Sequence, residues 1–162
     1  MSFPQSHFLP FCARSTFPSH LHTLHLYQVA IAKAELLQCL PALPTLERLS
    51  ISDQLHLEGE VHQPLITDAF LTALTQKTHP ACLVPRLHFF DCPSFLQFDD
   101  TIYLDCILSR IPPLLAAHTF DCEFWWLPGH KRELDATVLT QLCELSRKKR
   151  LLFLFSAAIM PV

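Results

Sequence analysis

The residues in this sequence best equipped for chemistry are its ten histidines and seven cysteines. His20-x-His22-x-x-His25 is the densest histidine group, and a metal ion would need several such side chains to converge on it. Along an extended strand alternate residues point to opposite faces, so His20 and His22 share a side that His25 does not. No metal site is expected from them. The cysteines, at 12, 39, 82, 92, 106, 122 and 143, contain no CxxC spacing. A thiol nucleophile with a base and an orienting carboxylate could be drawn from His88, Asp91, Cys92, His118, Asp121 and Cys122. Alternation opposes it, because Phe90 and Cys92 facing inward send Asp91 to the other side. The glycines are Gly59 and Gly129, too few for a Gly-rich phosphate loop. The expectation is a chain with no catalytic residues, no cofactor and no metal. A cysteine-dependent enzyme is the remote alternative, and it requires Cys92 or Cys122 to be exposed and close to a histidine.

What remains is binding. If the apolar positions of each short strand face a core, the residues between them face outward: Thr23, His25 and Tyr27, then Arg48, Ser50 and Ser52, then Phe89, Asp91 and Pro93, then Thr119, Asp121 and Glu123. Tyr27, Arg48 and Phe89 are of types enriched in binding hot spots, while Asp91, Asp121 and Glu123 make one half of the face acidic. These six are the candidate contact residues, and a polypeptide is the expected partner of such a surface.

The elements that must hold this face belong to a globular chain. The 162 residues are 50% hydrophobic and 17% charged, with a formal net charge of −3. Disorder would need lower hydrophobicity and higher net charge, and nucleic-acid binding would favour a basic chain. The longest apolar stretch, 151–162, is interrupted by Ser156 and Pro161 and is shorter than the roughly 20 residues that span a bilayer. No membrane association is expected. The first residues lack the pattern of a secretory signal, so reduced thiols in the cytoplasm or nucleus are the expectation.

A pattern, Leu-x-x-Leu-x-Leu, recurs from residue 21. Leu21, Leu24 and Leu26 fill it, then Leu46, Leu49 and Ile51, then Leu87, Phe90 and Cys92, and more weakly Ala117, Phe120 and Cys122, at intervals of 25, 41 and 30 residues. The last interval follows from aligning His88, Phe90, Asp91 and Cys92 with His118, Phe120, Asp121 and Cys122. Helical spacing follows each strand. The first stripe, Ala34, Leu37 and Leu40 or Leu36 and Leu40, ends at Pro41 and Pro44. Thr67 caps a helix with Phe70, Leu71 and Leu74 on one face. Asp99 and Asp100 open a stripe of Ile102, Tyr103, Cys106 and Ile107 that closes at Pro112 and Pro113. Leu134, Val138, Leu142 and Leu145 lead into the basic run 147–150, read as a helix end before a nuclear-import signal.

These readings predict an α/β, irregular leucine-rich-repeat-like solenoid, with parallel strands on the concave face and helices on the convex face. A Pro/Phe-rich segment covers 1–20, about four units fill 21–150 with a polar insertion at 55–64, and an apolar segment holding a fifth strand covers 151–162. Phe124 to Gly129 read as a bulky apolar loop. A compact doubly wound sheet is the rival; its ligands would sit at the strand C-termini, where this chain offers no glycine fingerprint.

The stretches Pro44-Thr45-Leu46-Glu47-Arg48-Leu49-Ser50-Ile51, Ile66-Thr67-Asp68-Ala69-Phe70-Leu71, Pro85-Arg86-Leu87-His88-Phe89-Phe90 and Phe98-Asp99-Asp100 through Ser109-Arg110 resemble the leucine-rich-repeat portion of fungal-type F-box proteins. The resemblance spans residues 21 to about 146 and implies the target-binding part of a ubiquitin-ligase adaptor. The chain departs from that pattern at the turn after each strand, where Val29, Gln54, Phe95 and Trp125 stand in place of the usual Asn or Cys. Residues 1–20 are too few and too proline-rich to form an F-box, so docking to the ligase is not expected of this chain. A stand-alone repeat scaffold is the alternative.

Overall fold

A computed structural model of the chain describes residues 20–27, 31–53, 64–75, 83–94, 97–111, 119–126, 132–148 and 151–157. The elements run β1 (Thr23–Leu26), α1 (Lys33–Cys39) continued by a 3-10 turn (Leu40–Ala42), β2 (Arg48–Ile51), α2 (Asp68–Leu74), β3 (Phe89–Ser94), α3 (Asp100–Arg110), β4 (Phe120–Trp126), α4 (Ala136–Arg147) and β5 (Leu151–Ala157). The fold is α/β, with one five-stranded parallel sheet in the order β1-β2-β3-β4-β5. Every strand pairs with its neighbour in the chain, so this sheet has no strand-order reversal at which a doubly wound fold would hold a ligand.

One face of the sheet and the helices share a core. Leu24, Leu26, Leu49, Ile51, Phe90, Cys92, Phe120 and Cys122 point into it, against Leu36, Leu40, Phe70, Leu71, Leu74, Tyr103, Ile107, Val138 and Leu142. Phe70 meets Phe90 at 6.4 Å between ring centroids, and the Tyr103 hydroxyl lies 3.1 Å from Cys122 Sγ. In α1 the inward stripe is Leu36, Cys39 and Leu40, whereas Ala34 is exposed. The α-helix ends at Cys39, ahead of Pro41 as expected, and Pro41 sits inside the 3-10 turn that follows, where its missing N–H is no loss.

The register keeps the expected offsets between the first three strands, with Leu24 opposite Leu49 and Leu49 opposite Phe90. The third offset differs. Phe90 pairs with Cys122, not with Phe120, and Cys92 pairs with Phe124. The shift is two residues, so Phe120 and Cys122 keep the core face, but Cys92 and Cys122 are diagonal neighbours and not equivalents. Phe124, Trp125 and Trp126 close β4 instead of forming a loop, and Leu151–Ala157 is the fifth strand. The N-terminal segment apart from His20, the insertion at 55–64 apart from Pro64, Pro112 and Pro113, and the positions Val29, Gln54 and Phe95 lie outside the described residues.

Polar residues tie successive strand–helix segments together. The turns Leu43-Pro44-Thr45-Leu46 and Val84-Pro85-Arg86-Leu87 close with the same amide-to-carbonyl bond, from Leu46 to Leu43 and from Leu87 to Val84. Proline at the second position presets φ for both. The His22 carbonyl accepts from the Glu47 and Arg48 amides, and the Glu47 carbonyl accepts from those of His88 and Phe89. At the helix starts, Asp68 Oδ1 accepts from the Asp99 amide at 2.7 Å, and Asp100 Oδ2 accepts from the Asp135 amide at 2.6 Å. Asp99 and Asp135 in turn cap their own helices through Thr101 and Ile102, and through Thr137 and Val138. Thr67 stands at the predicted cap of α2, yet its side chain makes no cap bond and its buried hydroxyl has no partner.

Two buried polar residues were not singled out from the sequence. Asp53, fully buried, accepts from the Leu65 and Ile66 amides at 2.6 and 3.3 Å, which ties the end of β2 to the approach to α2. Arg110 is 6% exposed and donates to the carbonyls of Leu74, Leu83 and Val84. Val84 carries φ of +48°, a conformation costly for a β-branched residue, and Arg110 Nη1 reaches its carbonyl at 2.7 Å.

Candidate binding face

The side of the sheet away from the helices carries the six candidate residues in adjacent register. One row crosses the strands as Thr23, Arg48, Phe89 and Asp121, and the next as His25, Ser50, Asp91 and Glu123. Tyr27 follows β1. Parallel strands lie about 4.8 Å apart, so residues from four strands meet on one surface.

Two contacts organise this surface. The Tyr27 hydroxyl reaches across β2 to donate to Asp91 Oδ2 at 2.5 Å, and its ring stacks on His25 with centroids 5.9 Å apart. The Arg48 guanidinium lies over the Phe89 ring, 3.9 Å from its centroid, a favourable cation–aromatic placement. Burial pushes the Asp91 carboxyl above its ordinary range, and the Tyr27 hydrogen bond, the His25 charge and the nearby Ser50 hydroxyl pull part of the way back. Tyr27 is likewise raised, first by burial and then by its bond to the Asp91 carboxylate. Thr119 donates to Asp121 Oδ1 at 2.9 Å.

The face is not a uniformly solvated one, as its alternation alone suggested. Tyr27 and Arg48 are exposed and Asp121 and Glu123 half-buried, but Phe89, Asp91, Ser50 and Ser52 are buried. Asp91 Oδ1 and Ser50 Oγ have no hydrogen-bond partner. The Ser50 hydroxyl lies close enough to Tyr27 and Asp91 to favour the ionised form of both, while making no hydrogen bond of normal geometry to either. Ser52, two residues on, is satisfied by donating to the Asp53 carbonyl at 3.0 Å. Ser50 and His25 belong to the site with the six. The signal for Ser50 was in the sequence: a small polar residue at the middle outward position of a central strand.

Neither Cys92 nor Cys122 belongs to this face. Cys92 and Cys122 are both fully buried. Burial pushes the Cys92 thiol well up, with Cys122 and Asp91 adding to it, the opposite of what activates a thiolate. His22 is exposed and pairs with Glu47 at 3.2 Å, and His25 lies on the outward face. Among the described residues no cluster of His, Cys, Asp or Glu could hold a metal ion, and no helix is long and apolar enough to cross a membrane. No family model matches the chain, and no curated protein or solved structure is significantly similar to it.

Proposed function

We propose that the chain is a leucine-rich-repeat-like solenoid that recognises a protein partner through the strand side of its sheet. One observation carries the reading. Strands in chain order with their helices packed on a single face leave the other face to Tyr27, Arg48, Phe89, Asp91, Asp121 and Glu123. Stacked units of this kind generate extended binding surfaces, and the recurring Pro turns and aspartate links between helix starts fit a repeated unit. The free thiols at Cys39, Cys92, Cys106, Cys122 and Cys143 fit a reducing compartment, the cytoplasm or nucleus.

Comparative capture from the cells that make the protein tests this. Arg48→Glu and Asp121→Lys change the strand face, and Asp105→Lys changes an exposed position on α3. A protein held by the wild type and by Asp105→Lys, and lost from both face variants, supports the reading. A captured set indifferent to the face variants overturns it. Recovery of the subunit that links F-box proteins to their cullin, together with that partner, favours the ubiquitin-ligase role; a face-dependent partner without it favours the stand-alone scaffold.

A further inference from the structure

Ser50 and Asp91 stand directly opposite each other on β2 and β3. They are 1% and 6% exposed, and Ser50 Oγ and Asp91 Oδ1 are both unpartnered. A buried polar atom without a partner is costly and uncommon in native folds. Two side by side, from separate units and on the outward face, point to hydrogen bonds made with something not in the chain. We infer that the Ser50–Asp91 pair receives one cationic side chain, an arginine or lysine presented by the protein partner, which enters by displacing the Tyr27 phenol. This deepens the recognition reading and rests on it.

The chemistry around the pair selects a cation. Asp121 and Glu123 follow on the next strand, opposite Phe89 and Asp91, so the partner meets three carboxylates together. The neighbouring cation of the chain, Arg48, is placed over Phe89 in the adjacent row. His25 stands at the far end of the row, stacked on Tyr27. Asp91 Oδ1 has lone pairs for N–H donors, and the Ser50 hydroxyl on the facing residue offers a second acceptor, the kind of group a guanidinium or an ammonium satisfies. Tyr27 is 48% exposed, so its ring can swing outward for the loss of one hydrogen bond and its stack on His25, and it then lines the incoming stem together with Phe89.

The chain holds two tyrosines, Tyr27 and the fully buried Tyr103, so 3-fluorotyrosine labelling gives two 19F resonances, assigned with Tyr27→Phe. The probes are short capped serine–threonine peptides whose central residue is arginine, lysine, citrulline or glutamate, titrated to about 1 mM. Arginine and lysine peptides are expected to move the Tyr27 resonance saturably and to leave Tyr103 in place, with citrulline and glutamate peptides inert. Ser50→Ala and Asp91→Asn should each weaken binding by about tenfold or more, and Ser50→Ala, the smaller change, keeps the test valid if Asp91→Asn fails to fold. The inference is overturned if basic peptides leave Tyr27 unmoved, if citrulline or glutamate peptides move it equally, or if Ser50→Ala binds as the wild type does. A partner still captured through the strand face, and not displaced by the arginine peptide, would sink this inference while leaving the recognition reading intact.

Discussion

Ser50→Ala deletes a hydroxyl that is 1% exposed and has no hydrogen-bond partner. Proteins with comparable groups show a burial penalty of about 1–3 kcal/mol for an unsatisfied hydroxyl. The deletion recovers that penalty. Against it stand the small void left by one oxygen and the loss of a dipole that favours the ionised form of Asp91. The net expectation is a gain of about 1 kcal/mol, or a rise in Tm of about 2–4 °C for a chain of this size. Ser52→Ala is the internal control, because its hydroxyl is also buried but donates to the Asp53 carbonyl. That variant should lose about 1 kcal/mol. Urea unfolding with an unchanged m-value, alongside calorimetric melting, resolves the two signs. A Ser50→Ala protein less stable than the wild type by about 1 kcal/mol would show that the hydroxyl is paired, and the cation receptor would lose half of its basis.

Other consequences are as direct. Arg110→Met removes the donor to three carbonyls while keeping an apolar stem, and should cost about 2–3 kcal/mol by chemical denaturation; a loss below about 1 kcal/mol would mean those carbonyls find water instead. Asp100→Ala breaks the link to Arg132 and to the Asp135 amide and should cost about 2–3 kcal/mol. Asp68→Ala, at the exposed equivalent, should cost less, and equal costs would contradict the burial argument. Two carboxylates should show opposite pH dependence. Asp91 is raised in the folded protein, so it binds more protons there than in the unfolded chain and costs stability as pH rises from about 4. The Asp91→Asn protein should therefore gain on the wild type over that rise. Asp99, lowered first by the Thr101 hydroxyl and then by helix-start amides, contributes stability above the ordinary carboxylate range and loses it as pH falls through its folded value. The deficit of Asp99→Ala should shrink on acidification. Parallel pH curves for both variants would refute the assignments.

Much of this architecture was legible because period-2 alternation is a strong local signal. Leu24, Leu49 and Phe90 fell into register at the expected offsets, and the outward positions were assigned to the correct face. Between β3 and β4 the residue match pointed to an offset two residues from the true one: His, Phe, Asp and Cys recur, but backbone pairing aligns Phe90 with Cys122. Parity survived, so the face did too. The helix stripes on Phe70, Leu71 and Leu74 and on Tyr103, Cys106 and Ile107 were readable from spacing. Asp53, Arg110 and Arg132 were not, because each satisfies groups that are distant in sequence. Asp53 serves amides 12 and 13 residues away, Arg110 reaches carbonyls 26 to 36 residues away, and Arg132 pairs with Asp100 across 32. The burial of Asp91 was equally hidden, since it depends on Tyr27 crossing an intervening strand.

Site-specific photo-crosslinking in the cells that make the protein tests the recognition face most directly. A benzoylphenylalanine replaces His25, exposed on the strand side, or Asp105, exposed on α3. The account predicts a discrete adduct from position 25 that disappears when Arg48→Glu and Asp121→Lys are added, and no adduct of that mass from position 105. Adducts from position 105 that ignore those substitutions, with none from position 25, would contradict it.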